Sequence, residues 1–199
     1  MRRLILFLCS VLVAAAGSAA TKAEVRDIVG HPFSADFASG AELRLHIRSG
    51  EVHVVGTDQN RITVELSGRK VEEAHDVRVR LAEKKGVTDL RVTGGPKNEL
   101  TITIRVPKAT HLYARIPFGE VHVEGVEGDK DISIHAGDLT VSVGRPADYA
   151  RVEASVMSGE LDGEPFGEER GGLFRSFHKN GPGKYRLYAH VGAGQLTLR

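Results

Sequence analysis

Apolar residues occupy every second position over much of the chain. Leu43, Leu45 and Ile47 alternate with polar residues, and residues 100–106 repeat the same period of two. Successive side chains of a β-strand point to opposite faces, so this alternation predicts strands with one buried and one solvated face. The chain is therefore predicted to be all-β, with stacked short strands in a β-solenoid-like or sandwich-like domain. The same pattern recurs at residues 52–54, 62–66, 77–81, 90–92 and 112–116.

A short phrase of glycine, an acidic residue and an apolar strand recurs along the chain. It reads Gly-Glu-Val-His-Val at residues 50–54 and again at residues 119–123, and looser versions begin at Gly137, Gly159 and Gly194. Glycine permits positive φ angles and close backbone approach, which suits a corner between strands. From residue 119 onwards, successive copies are 18 and 22 residues apart, which predicts repeats that each stack on the one before.

Residues 163–184 depart from this rhythm. Residues 180–183 read Asn-Gly-Pro-Gly, which has the composition of a turn. Apolar and aromatic residues lie on both sides of it. The pattern predicts that Leu173–His178 and Tyr185–Val191 pair as a hairpin.

The first twenty residues have the features of a signal peptide. Arg2 and Arg3 precede an apolar run at residues 4–13 that is too short to span a bilayer, and small residues follow as far as Ala20. We predict that residues 1–20 are a signal peptide cleaved after Ala20; the alternative is a retained N-terminal anchor. Cleavage would export the protein to the periplasm or the extracellular space and leave no transmembrane segment.

The rest of the chain divides into a charged lead-in at residues 21–32 and a single domain at residues 33–199. The only cysteine, Cys9, follows Leu8 instead of a small residue, which argues against lipid attachment. The predicted mature chain therefore has no cysteine. Without one it has no disulfide and no thiol chemistry.

Composition and charge exclude some partners. The chain has 41% hydrophobic and 27% charged residues, abundant glycine and no tryptophan, as a soluble globular domain would. Loss of Arg2 and Arg3 would change the formal net charge from +1 to −1. Nucleic acids and anionic membrane surfaces are bound through a basic excess, so neither is predicted as a partner.

Two of the nine histidines, His53 and His122, occupy the same place in the two copies of Gly-Glu-Val-His-Val. His46 and His135 are expected on neighbouring outward positions of adjacent strands. If the copies stack in register, these imidazoles line one polar face and can bind a transition metal, as in a metal-dependent periplasmic enzyme. The alternative is solvated positions that any polar residue can fill, since no pair of histidines has zinc-motif spacing. No cofactor is predicted.

Acidic residues follow the glycine in four copies of the phrase, as Glu51, Glu120, Asp138 and Glu160. Stacked carboxylates can bind calcium, but the Gly-Gly-x-Gly-x-Asp repeat of calcium-binding solenoids is absent. Acidic side chains beside a turn also accept hydrogen bonds from backbone N–H groups. We therefore expect these carboxylates to accept hydrogen bonds from backbone N–H groups beside the turns and not to bind calcium.

Five of the eleven aromatic residues gather late in the chain among several basic residues. Aromatic side chains beside arginine are typical of contact surfaces. The alternative is that aromatic residues such as Phe174 and Tyr185 close one end of the core. The predicted binding residues are Arg170, Phe174, Arg175, Phe177, His178 and Tyr188.

Catalysis has little support in the sequence. There is no Gly-x-Ser-x-Gly motif, no phosphate loop and no dinucleotide fingerprint. We therefore predict that the protein is not an enzyme but an exported or envelope module, which binds or adheres to a protein or glycan through a sheet face or the 173–191 hairpin. The alternatives are a structural component that self-associates through exposed strand edges, and the metal-dependent enzyme.

Residues 43–58, together with the repeated phrase and the exported start, resemble the bacterial putative-adhesin family of toastrack-type domains. This segment reads Leu-Arg-Leu-His-Ile-Arg-Ser-Gly-Glu-Val-His-Val-Val-Gly-Thr-Asp. The resemblance covers residues 33–199. It implies an all-β, solenoid-like stack of sheets at the cell envelope, with a role in adhesion or, as in some relatives, in envelope-stress systems. It implies no catalytic residues.

Overall fold

The fold comes from a computed structural model that describes residues 22–199, apart from the side chains of Lys22 and residues 169–171. The predicted signal peptide, its alternative as a retained anchor, and Cys9 lie outside the described residues. None of the described segments forms a helix long and apolar enough to cross a bilayer.

Thirteen β-strands run through the described residues, which confirms the predicted all-β fold class. Three short 3₁₀ turns lie between strands, at Val71–Glu73, Pro146–Asp148 and Glu164–Phe166. The strands are β1 (Lys22–Arg26), β2 (Phe33–Asp36), β3 (Glu42–Ile47), β4 (Glu51–Thr57), β5 (Arg61–Ser67), β6 (Arg78–Lys84), β7 (Val87–Thr93), β8 (Thr101–Pro107), β9 (His111–Glu124), β10 (Lys130–Val141), β11 (Tyr149–Gly163), β12 (Glu168–Asn180) and β13 (Tyr185–Leu198).

Four long strands form the centre of the sheet. β9, β10, β13 and β11 lie side by side in that order and are parallel, and β12 pairs antiparallel with β11 at the edge. β3 pairs with the first half of β9 and β4 with its second half, so together they continue the stack as one interrupted strand. Two branches of shorter strands extend from there, β7–β6–β1 from β3 and β8–β5–β2 from β4.

The glycines of the repeated phrase form a column across the stack, which we call the glycine column. Its members in spatial order are Gly50, Gly119, Gly137, Gly194 and Gly159. The last four have φ between +131° and +136°. A Cβ on any of these four would lie 1.8–2.1 Å from the carbonyl oxygen of the neighbouring glycine. Only glycine fits, so the column turns every long strand at the same level.

The repeats stack in register but not in chain order. Gly137 pairs with Gly119, as predicted, but its other neighbour is Gly194 and not Gly159. The prediction that each repeat stacks on the one before is therefore wrong at this step, because the last strand, β13, lies between β10 and β11. Copies of one phrase fit beside each other in any order, so the order of the strands is decided by their connections and by the packing of the whole sheet.

The predicted hairpin between Leu173–His178 and Tyr185–Val191 is wrong. β12 pairs with the strand before it, β11, and β13 runs parallel to both β11 and β10. Asn180 ends β12, and residues 181–184 connect it to β13; in this connection the Gly181 N–H donates to the Ala150 carbonyl oxygen at 3.1 Å. A turn signal marks a change of chain direction and does not determine which strand the next segment joins.

One continuous core lies inside the bent sheet. Its members are the alternating apolar residues of the predicted strands, and Leu43, Val64 and Ile104 are fully buried. The core draws on both sides of the glycine column, since β13 contributes Leu187 before its glycine and Leu196 after it. Burial of apolar surface, worth about 25 cal/mol per Å², is therefore the main stabilising contribution.

Candidate functional site

Four large apolar side chains are exposed beside the glycine column. Phe118 is 56% exposed, Met157 51%, Leu173 63% and Phe174 76%. The one other large apolar side chain in the described residues that is exposed, Val25, lies on the edge strand β1. We call the four residues the apolar ridge. Met157, Leu173 and Phe174 are neighbours on the adjacent strands β11 and β12, and such a group of exposed apolar side chains indicates a contact surface.

Strand register joins two residues of the apolar ridge, Phe118 and Leu173, by a line across five strands. Phe118 of β9 is in register with Ala136, Ala193, Ser158 and Leu173 on the successive strands β10, β13, β11 and β12. Neighbouring strands are about 4.8 Å apart, so the line is about 19 Å long. Small side chains between two large apolar ones give the line a low centre and raised ends.

The backbone of Phe174 has an unusual conformation. Its φ is +52°, in the left-handed region that bulky side chains avoid. Val156 lies opposite Arg175 and Ser158 opposite Leu173, so Phe174 falls opposite Met157, in the exposed part of β11. An apolar side chain held outward at a conformational cost is the kind of outlier that occurs at functional sites.

The predicted binding residues separate in the structure. Phe174 belongs to the apolar ridge and is not part of the core, and the exposed Arg175 follows it, with its guanidinium over Gly172. Phe177 is only 6% exposed and its ring lies 6.1 Å from that of Phe166. Its place in a contact surface is therefore wrong, because the Phe177 ring packs in the core while Arg175 and Lys179 on either side of it are exposed. The side chain of Arg170 lies outside the described residues.

His178 and Tyr188 lie in a row on the outward face of the sheet. The row crosses β9, β10, β13, β11 and β12 and consists of Tyr113, Asp131, Tyr188, Glu153 and His178, each in register with the next. We call it the tyrosine row. Aromatic and acidic side chains alternate along it. The sequence places Tyr188 and His178 near the same end of the chain, but it gives no sign that Tyr113 joins them.

Arginines hold the first tyrosine of the row in place. The Arg115 guanidinium lies 4.0 Å from the centre of the Tyr113 ring, and that of Arg44 lies 5.7 Å away. Arg115 also forms an ion pair with Asp131 at 2.8 Å. Arginine and tyrosine are enriched at interfaces, and a tyrosine fixed between two guanidinium groups loses little freedom when it binds. Alternation alone shows that Tyr113 and Arg115 point outward; their partners depend on register.

A second outward cluster joins the two copies of Gly-Glu-Val-His-Val. His53 is in register with His122, and their ring centres are 4.8 Å apart. His53 Nε2 lies 2.8 Å from an oxygen of Glu51, and the ligand atoms of these three residues all lie within 4.8 Å of one another. Glu120 is in register with Glu51. The stacking on which the metal hypothesis depends is thus present for this pair of histidines.

The other two histidines are not part of this cluster. β9 separates β3 from β10, so the prediction that His46 and His135 lie on adjacent strands is wrong. His46 contacts Asp89 at 3.1 Å, and the His135 ring meets the edge of Phe118 at 6.0 Å. The two histidines are separated because β9 lies between their strands, and the alternation of apolar residues gives no information on strand order.

The acidic residues that follow the column glycines lie in one row. Glu51, Glu120 and Asp138 are neighbours, and Gln195 separates Asp138 from Glu160. An oxygen of Asp138 accepts a hydrogen bond from the Gln195 backbone N–H of the neighbouring strand β13 at 2.9 Å, which is a cross-strand contact and not the predicted turn contact. At Glu51, hydrogen bonds from the Thr101 hydroxyl and from His53 lower the pKa of the carboxyl group below its ordinary value.

One outward pair has the atoms of a catalytic dyad. Ser155 Oγ lies 2.8 Å from His190 Nδ1. A serine nucleophile also needs a group that orients the imidazole and donors that stabilise an oxyanion. The pair lies in mid-sheet between β11 and β13, where the backbone N–H groups are used in strand pairing. It therefore has the chemistry of a polar cross-strand contact.

No protein-family model matches the chain, and no curated protein matches it. Two solved structures are similar to it. One is described as a putative cell adhesion protein from Clostridium sporogenes ATCC 15579; it is 12% identical, with a TM-score of 0.48, and the match covers 90% of this chain and 99% of that one. The other is described as a putative adhesin from Bacteroides fragilis NCTC 9343, at 9% identity and a TM-score of 0.31, covering 92% and 98%.

Proposed function

We propose that the protein is a non-catalytic binding module of the adhesion type, which holds a protein partner on the apolar ridge. The observation that supports this most directly is the exposure of Phe118, Met157, Leu173 and Phe174 at one level of the sheet. Large apolar side chains that lie together in solvent gain free energy when a partner covers them. Aromatic anchors of this kind supply most of the binding energy in many interfaces.

Several features favour holding a partner over chemical conversion. The four ridge side chains are each more than half exposed, and the tyrosine row lies on the outward face of the sheet, whereas enzymes enclose their substrates in clefts. The resemblance of the sequence to putative-adhesin domains points the same way. Export to the periplasm or the cell surface is part of the proposal and depends on the predicted signal peptide at residues 1–20.

The test is a ridge variant that carries Leu173→Ser and Phe174→Asn. Asparagine tolerates positive φ, so the second change removes the aromatic ring without backbone strain. Val25→Ser is the matched control, because it removes an exposed apolar side chain outside the ridge. Phe177 is unsuitable as a target, since its loss would damage the core.

Immobilised wild-type and variant proteins are incubated with extract of the native envelope, cross-linked, and their partners identified by mass spectrometry. We expect one partner to be retained by the wild type and by Val25→Ser and lost by the ridge variant, with melting temperatures unchanged. Light scattering on the same proteins shows whether that partner is a second copy of the chain. Retention of the partner by the ridge variant, or its loss only on Tyr188→Ala, contradicts the proposal.

A further inference from the structure

Two copies of Glu-Val-His lie side by side on the outward face of β4 and β9. Parallel in-register pairing sets Glu51 beside Glu120 and His53 beside His122, which makes a square of two carboxylates and two imidazoles. We propose that this square is a binding site for a divalent transition-metal ion, with His53, His122 and Glu51 as its ligands. The proposal is independent of the apolar ridge.

The geometry needs only side-chain adjustment to close around an ion. His53 Nε2 is already 2.8 Å from an oxygen of Glu51, and the three ligand atoms lie within 4.8 Å of one another. Bonds of about 2.0–2.2 Å to nitrogen and oxygen put neighbouring ligand atoms about 3–3.5 Å apart. Rotation about the side-chain bonds of His122 covers the difference, while strand pairing fixes the backbone of both histidines.

A neighbouring residue orients the carboxylate ligand. The Thr101 hydroxyl donates to one oxygen of Glu51 at 2.8 Å, and the other oxygen of the same carboxylate faces His53. Such outer hydrogen bonds hold metal ligands in position and strengthen binding. Thr101 lies on β8, so three adjacent strands, β8, β4 and β9, contribute to one site.

The donor set selects the class of ion. Two imidazoles and one carboxylate suit Zn²⁺, Ni²⁺ or Cu²⁺, whereas Ca²⁺ and Mg²⁺ prefer oxygen ligands alone. Among the described residues, no other group of three histidine, cysteine or acidic side chains comes this close together. Three protein ligands leave a coordination position open, which Glu120, water or a side chain of a partner can fill.

The site would also link two parts of the fold. β4 belongs to the interrupted strand at the start of the chain, and β9 is the first of the long strands. An ion bound to both strands in the folded state, and to neither in the unfolded chain, stabilises their pairing. Metal binding is therefore expected to raise the melting temperature, a readout that needs no knowledge of the partner.

The experiment uses the mature protein freed of metal with a chelator. Titration calorimetry with ZnCl₂ is expected to give one equivalent of bound ion, and the melting temperature is expected to rise. His53→Gln and His122→Gln should each weaken binding at least about tenfold, since each removes one of three ligands. His135→Gln is the matched control, because it removes an outward histidine outside the cluster and should change neither readout.

Electron paramagnetic resonance with Cu²⁺ gives a direct count of the nitrogen ligands. Two coordinated nitrogens are expected in the wild type and one in His53→Gln or His122→Gln, even if a variant is less stable. Absence of a bound ion in the wild type overturns the proposal. So does binding that both glutamine variants retain at full strength, or that is lost on His135→Gln instead.

Discussion

At the scale of single residues, Lys130 is the most unusual position in the core. It is 1% exposed, the only charged side chain in the described residues to be buried, and its Nζ donates to Tyr149 Oη at 2.8 Å and to the Gly128 carbonyl oxygen at 3.2 Å. Burial disfavours the charged amine and lowers its pKa from 10.5 to about 8. Alternation already places this residue on the inward face, in step with Ile132 and Ile134.

The depressed pKa of Lys130 predicts that stability rises between pH 8 and pH 10. In this range the folded protein releases the proton while the unfolded chain keeps it, so higher pH favours the folded state. The shift from 10.5 to about 8 corresponds to about 3 kcal/mol at most. Above about pH 10 the trend should reverse, because burial raises the pKa of Tyr149 and the unfolded chain then loses that proton first.

Urea unfolding at several pH values measures this rise. Lys130→Met should abolish most of the rise in unfolding free energy between pH 8 and pH 10. Lys97→Met, which changes a lysine at the surface, should show the same rise as the wild type. A wild-type stability that stays constant from pH 8 to pH 10 would contradict the assignment, and so would an equal rise in Lys130→Met.

At the scale of strands, the glycine column decides where each long strand turns. Gly119, Gly137, Gly194 and Gly159 share nearly the same φ, and each lies against the carbonyl oxygen of the glycine before it in the stack. The bend is therefore a property of the stack, since no strand can turn at another level without losing register with its neighbours. The apolar ridge lies just before this bend, so the same glycines position the proposed contact surface.

Gly137→Ala is predicted to destabilise the protein by about 3 kcal/mol or more, because it combines a strained φ with a backbone clash. Its Cβ would lie 1.9 Å from the Gly119 carbonyl oxygen. Gly144→Ala is the control: φ there is +67°, but no atom lies within 4 Å of the added Cβ, so the cost should be about 1 kcal/mol. Equal losses of unfolding free energy in the two variants would show that the clash does not matter.

At the scale of the whole molecule, the last strand occupies the middle of the sheet. β13 is parallel to both of its neighbours, β10 and β11, and joins the β11–β12 pair to the rest of the sheet. β10 ends at Val141 and β13 begins at Tyr185, so their pairing joins residues that are distant in sequence. Contacts of this kind make folding slow.

A chain that ends at Lys184 is predicted to lose cooperative unfolding, because both neighbours of β13 lose a partner and the core loses Leu187, Val191 and Leu196. A chain that starts at Asp27 should keep a cooperative transition, since β1 pairs only with β6 at an edge. Thermal unfolding followed by circular dichroism compares the two. A cooperative transition in the chain that ends at Lys184 would mean that β10 and β11 can pair with each other directly when β13 is absent.

The local sequence pattern was sufficient to predict the strands, their buried faces and the glycine corner. Alternation at Leu43, Ile104 or Leu112 determined which residues form strands and which face is buried, because a strand's side-chain period is a local property. The repeated glycine likewise indicated a corner, since its φ requirement is also local. The metal hypothesis named His53 and His122 correctly as a pair, because identical phrases in parallel strands align without offset.

Strand order and register were decided only by the tertiary structure. The insertion of β13, the pairing of β12 with β11, the separation of His46 from His135 and the burial of Phe177 all depend on which strands become neighbours. So do the apolar ridge, whose members come from three strands, and the tyrosine row, whose members come from five. The sequence determines each strand's two faces, whereas neighbours are chosen by the packing of all strands at once, and near-identical repeats carry no local signal that distinguishes one neighbour from another.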